Sequence, residues 1–302
     1  MKKRRKGNNL KAWLYLLPAI LFLGVFMVYP LVDVCIYSLE EGYKVTTDTF
    51  TGIGLGNFVK VLHDEEFVQA LINTFELVII TVPVSTGLSL LIALGLSSIK
   101  PLKKAFQTIF FLPYVTNTLA VGLVFTFLFA KTDHTVGLVN ELLGRNMETA
   151  IDFFDKYSHG WQILVTSLYT VWIVMPFKIL ILTSALASVN QDYYKAAKVD
   201  GASSARIFRK ITLPMISPTV FYLIITGFIG AFKAYSDEVA LFGENLKGAR
   251  MNTIVGYIYD FLTSETGGQY GEAAAAALIL FVIILTITVI NLRFSRNKVQ
   301  YM

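Results

Sequence analysis

Six long apolar stretches, separated by short polar ones, set the pattern of this chain. They fall at about 13–37, 70–96, 106–130, 161–187, 216–236 and 273–292. Each is near the ~20 residues a helix needs to cross a ~30 Å hydrocarbon core. Runs this long lack the short alternation of barrel strands and read as helices. The predicted fold class is therefore an all-α membrane protein with six transmembrane helices. Composition agrees: of 302 residues, 55% are hydrophobic and only 16% charged, against about 25% charged in soluble domains.

The first stretch, from Trp13 to about Tyr37, follows a basic start that resembles a signal-peptide n-region. It is too long for an h-region and has no clear small-residue cleavage site, so it is predicted to be a retained span. The +5 net charge would suit nucleic acid, but its placement points to a bilayer instead. With the N-terminus inside, 17 of the 26 basic residues fall on the inner side: Lys2, Lys3, Arg4, Arg5, Lys6, Lys11, Lys100, Lys103, Lys104, Lys195, Lys198, Arg206, Arg209, Lys210, Arg293, Arg296 and Lys298. Seven fall outside, and Lys178 and Lys233 lie within spans. The positive-inside rule then puts both termini in the cytoplasm. The expected organisation is a basic tail at 1–11, a six-span domain at 12–294 and a short tail at 295–302. The single Cys35 and the scattered His63, His134 and His159 offer no metal-ligand spacing, and no metal site is expected.

The inner segment between the fourth and fifth stretches, residues 190–214, differs from the other connections. Asn190 suits the N-cap of a short helix, and Gly201 suits the left-handed turn that would end it. Ser203 can cap a second short helix to about Lys210, with Pro214 and Pro218 stopping it and starting the fifth span. A compact helix–turn–helix at the membrane face could pass a push from a partner to both flanking spans.

This segment resembles the cytoplasmic loop of permease subunits of ATP-binding-cassette importers. That family's signature reads Glu-Ala-Ala, three residues, Gly, nine residues, Ile-x-Leu-Pro. Ala196, Ala197, Gly201, Ile211, Leu213 and Pro214 occupy the matching positions at that spacing. The family's Glu is Lys195 here. The resemblance implies the type I permease fold, with a coupling helix docking on a separate cytosolic ATPase, and it implies that this chain is no enzyme. ATP and Mg would be bound by an ATPase dimer, consistent with the lack of a Gly-x4-Gly-Lys-Ser/Thr phosphate loop here, and this chain would bind no cofactor itself. It further implies a second homologous permease subunit, an extracytoplasmic solute-binding protein, and a place in the bacterial cytoplasmic membrane. Lys195, in place of an acid that would face a basic residue of the ATPase, implies a partner of altered charge. A second Glu-Ala-Ala at Glu272–Ala274 has Leu278 where the glycine would stand and is read as plain helix-forming sequence.

Asp200-Gly201-Ala202-Ser203, with Ile211-Thr-Leu-Pro214 after it, is similar to the carbohydrate-uptake branch of that family, as are Leu17-Pro18-Ala19, Tyr29-Pro30, Asn73-Thr74-Phe75 and Phe111-Leu112-Pro113. Phe242-Gly243-Glu244-Asn245 departs from it where a Gly-Gly-Pro turn is common. A sugar is the expected solute. A permease for an amino acid or polyamine is the alternative, and an ion-driven secondary transporter the rival from another class.

Ionisable groups inside a bilayer cost about 2.5–3.5 kcal/mol at a helix centre, so each calls for a reason. Lys178, ~26 Å past Trp161 at 1.5 Å per residue, is expected to snorkel to the inner interface. Lys233 and Asp237, four apart, either pair on one helical face or line an outer vestibule for sugar. Asn117, Tyr169, Thr170, Trp172, Tyr222 and Thr226 offer the aromatic faces and polar groups a sugar cavity uses, with packing or lipid contact as the other reading. Connections at 38–69, 131–160 and 241–272 are long enough for short helices or for docking a binding protein. Within the last, Tyr257-Ile258-Tyr259 and Gly267-Gly268 suggest an ordered piece with a turn.

Overall fold

The computed structural model describes residues 9–44, 47–99, 103–263 and 269–298. The basic residues before Asn9, Lys100, the Gly267-Gly268 turn and the residues after Lys298 lie outside these. In chain order, α1 (Asn9–Leu23) and α2 (Tyr29–Leu39) flank a π-helical turn at Gly24–Val28. A small antiparallel hairpin, β1 (Glu40–Glu41) with β2 (Gly52–Ile53), pairs Glu40 with Ile53. Then come α3 (Gly56–His63), α4 (Glu65–Ser98), α5 (Lys103–Val115), α6 (Thr118–Leu128), α7 (Leu138–Leu142), α8 (His159–Ser188), α9 (Gln191–Val199) and α10 (Ser204–Ile207). A second π-helical turn at Phe208–Thr212 leads into α11 (Leu213–Phe232), followed by α12 (Ser236–Phe242), α13 (Leu246–Ala249), α14 (Ile254–Thr263) and α15 (Tyr270–Lys298).

Among the described residues, five helices are long and apolar enough to cross a bilayer: Lys11–Leu39, Glu65–Ser98, His159–Ser188, Ser204–Phe232 and Tyr270–Arg293. The third apolar stretch is not the single straight helix its composition suggests. It is a pair, Ala105–Val115 and Thr118–Leu128, bent by 94°, and the spans number six when this pair is one of them. The break has a local cause. Asn117 takes an extended backbone (ψ 124°) and its side chain accepts the Leu119 and Ala120 amides, so it starts a new helix instead of continuing the old one.

Both π-helical turns sit immediately ahead of a proline. Tyr29 N–H donates to the Gly24 carbonyl before Pro30, and Leu213 N–H donates to the Phe208 carbonyl before Pro214. Proline lacks an amide hydrogen, and its ring collides with the carbonyl four residues back. Adding a residue to the turn in front of it relieves both problems without ending the helix. The expectation that Pro214 stops the helix of the 190–214 loop is thus corrected: α10, the π-turn and α11 form one helix, Ser204–Phe232.

The chain divides into two compact units. The first comprises described residues of Met1–Asp64 and Ile258–Ile279. In it, buried Asn57 donates to the carbonyls of Ser38 and Glu40, the Glu41 carboxylate accepts the Gly56 amide at the start of α3, and Lys60 pairs with Glu272 at 3.2 Å. The apolar side chains of α1 and α2, among them Trp13, Phe22 and Phe26, are exposed.

The second unit comprises described residues of Glu65–Tyr257 and Leu280–Met302. Helices α4 and α8 form its central pair, α11 lies on α4, α5 lies on α8, and α12 lies on α6. Ala93, Leu182, Leu186, Val189, Ile216 and Leu223 make one core cluster. Tyr169, Ala240 and Leu241 make another, with Phe125 edge-on to Tyr169 at 5.2 Å. Hydroxyls along α4 and α8 bond back to their own helices, as Thr81 does to the Leu77 carbonyl and Thr166 to the Gln162 carbonyl. This satisfies polar side chains where no water is at hand.

Candidate functional site

The 190–214 segment folds as its capping residues dictate. Asn190 Oδ1 accepts the Asp192 amide at 2.9 Å and starts α9. At the other end Gly201 takes φ +70°, a region that favours glycine. The Ala202 amide reaches the Ala197 carbonyl and the Gly201 amide the Lys198 carbonyl, the two bonds of a Schellman motif. Ser203 Oγ then accepts the Arg206 amide and opens α10. The Thr212 hydroxyl donates to Tyr194 Oη at 3.2 Å and clamps α9 to the π-turn.

No residue of α9 is buried. Lys195, Ala196, Asp200 and Gly201 are exposed, while Ala197, Ile211, Leu213 and Pro214 are half-buried. The signature positions therefore divide into a presented surface and a root. Tyr194 and Met215 pack on the core cluster of α4, α8 and α11, whereas Val199, 88% exposed, and Tyr193 stand in the open. Lys195 Nζ pairs with Asp192 at 3.0 Å on the same helix face.

The second unit also holds a cavity of about 430 Å³ lined by α4, α5, α8, α11 and the α11–α12 joint. Thr170, Thr226, Lys233 and Asp237, named from sequence, line it. Tyr169, Trp172 and Tyr222 do not. Tyr169 is fully buried and its hydroxyl donates to the Thr118 carbonyl at 2.8 Å, while Trp172 and Tyr222 are exposed elsewhere on their helices. Asn117 caps α6 and lines a separate hollow of about 540 Å³ with Tyr235 and Ser236. Sequence reasoning missed Ser85, Tyr114 and Phe177, which also line the main cavity. The Phe111-Leu112-Pro113 motif was the one available pointer, since Tyr114 follows it directly.

Two expectations for ionisable groups are corrected. Lys178 does not snorkel. It is 5% exposed, and its ammonium donates to Ser85 Oγ at 2.6 Å and Thr86 Oγ1 at 2.9 Å, both on α4. Lys233 and Asp237 do not pair along one helical face, because α11 ends at Phe232 and α12 starts at Ser236. Asp237 accepts a hydrogen bond from Thr170 instead, at 3.1 Å. On α12, outside the spanning helices, burial raises the Asp237 carboxyl and the Thr170 bond partly opposes this. Neighbouring Glu238, fully buried, is pushed up to about 8 by burial and by Asp237, so it is mostly protonated at neutral pH.

The Asn73-Thr74 pair has a clear task. The Asn73 amide donates to the carbonyls of Arg250 and Asn252, and Thr74 Oγ1 accepts the Ile254 amide. Gln162 of α8 adds a bond to the Ala249 carbonyl. Polar groups of two spanning helices thus satisfy the irregular backbone between α13 and α14. Among the described residues no group of three or more His, Cys, Asp or Glu is placed to hold a metal.

Spanning helices, a broken span and an exposed, Schellman-closed helix rooted on α4, α8 and α11 define a membrane-embedded transport subunit. The sequence profile described as "binding-protein-dependent transport system inner membrane component" matches residues 85–299, and the chain belongs to that family. It is 28% identical over 284 residues to the arabinooligosaccharides transport system permease protein AraP of Bacillus subtilis, covering 94% of this chain and 88% of that one. It is 26% identical over 302 residues to the lactose transport system permease protein LacF of Rhizobium radiobacter, covering 97% of each. Its fold matches, at TM-score 0.80 and 23% identity over 97% of both chains, a chain of a bacterial ABC transporter involved in the import of the acidic polysaccharide alginate.

Proposed function

We propose that this chain is the permease subunit of an ATP-driven oligosaccharide importer, forming half of the translocation pathway and hydrolysing nothing itself. The observation that carries the coupling role is the exposed α9, closed by Gly201 and leading through a short capped turn into the 29-residue helix Ser204–Phe232. A cytosolic ATPase dimer, holding ATP and Mg, docks on Lys195, Ala196, Asp200 and Gly201, while Ala197, Ile211, Leu213 and Pro214 root that surface in the spans. The sugar assignment is supported by the arabinooligosaccharide and lactose relatives. A second homologous permease subunit and lipid cover the apolar faces that this chain leaves exposed, and a solute-binding protein delivers the sugar. The protein sits in the bacterial cytoplasmic membrane with both termini inside, the six-span domain covering 12–294 and the coupling loop 190–214.

The test is uptake of a labelled oligosaccharide panel by cells carrying the full complex, with Gly201→Asp beside wild type. The substitution puts a side chain at φ +70° and a new charge on the docking surface. ATP-dependent uptake is expected to be lost with normal membrane levels. Uptake that persists, or that follows an ion gradient in place of ATP, would sink the coupling assignment. Lys195→Glu is expected to change coupling strength in opposite directions with ATPases of opposite groove charge. Equal uptake by both forms with every ATPase would show that position 195 reads no partner charge.

A further inference from the structure

We propose that the cavity beside Lys178 selects an acidic saccharide, one bearing a carboxylate or phosphate, and that Lys178 is the group that recognises it. This rests on the importer reading above and adds the class of solute.

Lys178 and Lys233 both line the cavity. Among the described residues neither has a carboxylate within 4.0 Å. A cation inside a membrane bundle ordinarily comes with a counter-charge or marks the path of a charged ligand. Lys178 has two hydroxyl partners, Ser85 and Thr86, which fix the ammonium in place but leave its charge uncompensated. An ammonium has three donors, so one remains. Gly227 keeps the space beside it clear, since a Cβ there would lie 3.4 Å from Nζ.

The remaining lining fits a sugar ring. Tyr114 and Phe177 stack at 5.7 Å on the wall of the same cavity, giving apolar faces for the C–H side of a pyranose. Thr226 and the Thr170-held Asp237 offer partners for hydroxyls. Asp237 is the one acid among the lining residues, against two lysines. The volume, about 430 Å³, lies within the usual range of about 300–1,000 Å³ for small-molecule sites. An acidic oligosaccharide would place its anion on Lys178 and a ring on the aromatic pair, a charge-assisted contact that a neutral sugar cannot make.

The experiment uses the purified permease–ATPase complex without its binding protein, so that delivery does not set the preference. Affinities are measured by calorimetry for trigalacturonate against its neutral methyl ester, and for maltose 6-phosphate against maltose, with ATP-driven uptake followed in parallel. Wild type is expected to favour at least one acidic member over its neutral twin by about tenfold or more. Which acid is favoured separates a carboxylate from a phosphate ligand. Lys178→Met is expected to level that preference, the acidic member falling toward the affinity of its neutral twin. A wild type that binds both members of each pair equally, or a Lys178→Met that weakens both alike, overturns the proposal and leaves Lys178 a clamp between α4 and α8, with the importer reading intact. Absence of ATP-driven uptake of any saccharide overturns both. If Lys178→Met does not assemble, the wild-type ratios and Lys178→Gln decide the matter by the same criteria.

Discussion

Asn73→Leu is expected to lower the melting temperature of the purified complex more than any other single substitution on α4. The side chain is fully buried and its amide is shared between the Arg250 and Asn252 carbonyls at 3.0 and 2.8 Å. Leucine keeps the branched shape but leaves the Arg250 and Asn252 carbonyls without this donor, at about 1–3 kcal/mol for each buried group stranded. The loss is compounded because the same stretch of backbone hangs on Thr74 through the Ile254 amide. Gln69 supplies the control, since it only donates to Asn73 Oδ1 at 2.9 Å and is part-exposed. Gln69→Leu is expected to cost a fraction of that. Equal melting shifts for the two variants would mean that the α13–α14 segment is held by something other than this amide.

Gly122→Val is expected to detach α12 from α6 and to remove uptake with it. A Cβ at position 122 would lie 2.6 Å from Ala240 Cβ and 2.6 Å from the Ala240 carbonyl oxygen, so the obstacle is backbone as well as side chain. Overpacking of this kind costs about 1–3 kcal/mol when neighbours can yield, and a helix backbone yields little. Asp237, on the cavity lining, rides on α12, so the damage reaches the cavity. Gly122→Ala is the milder form, and pairing it with Ala240→Gly removes the Cβ–Cβ collision but not the one with the carbonyl. Partial rescue in the double variant is the expected result, read as uptake normalised to membrane level. Full rescue would show the carbonyl contact to be soft, and no rescue would show that the Cβ of Ala240 is not the obstacle.

Much of this architecture was legible from local chemistry. The spans follow from apolar length, and the helix–turn–helix at 190–214 from Asn190, Gly201 and Ser203, each acting within three residues of its own position. What was not legible depends on distant partners or on which way a helix faces. Lys178 finds its hydroxyls 92 and 93 residues away, and a depth estimate along one helix cannot see them. Tyr114 and Phe177 reach the cavity while Trp172 and Tyr222 do not, because helices apolar all round carry no stripe to mark their inner face. The break at Asn117 hides inside an apolar run, since a capping asparagine and a buried one look alike in composition. The end of α11 at Phe232 was missed because no Gly or Pro marks the stop: Lys233, Ala234 and Tyr235 follow it directly.

The π-turn before Pro214 gives the helix Ser204–Phe232 one residue more than an α-helix of the same length would hold there. One residue is about 100° of azimuth at 3.6 residues per turn. Everything on α11, including the cavity wall at Leu223, Thr226 and Gly227, is therefore out of phase with α10 by that amount. Such a slip can move along a helix one position at a time, with the hydrogen bonds on either side kept. Each step swings one residue across the gap and leaves its neighbours in register. The joint at the root of the loop is then a ratchet for torsion, able to turn an axial push into rotation of the cavity wall.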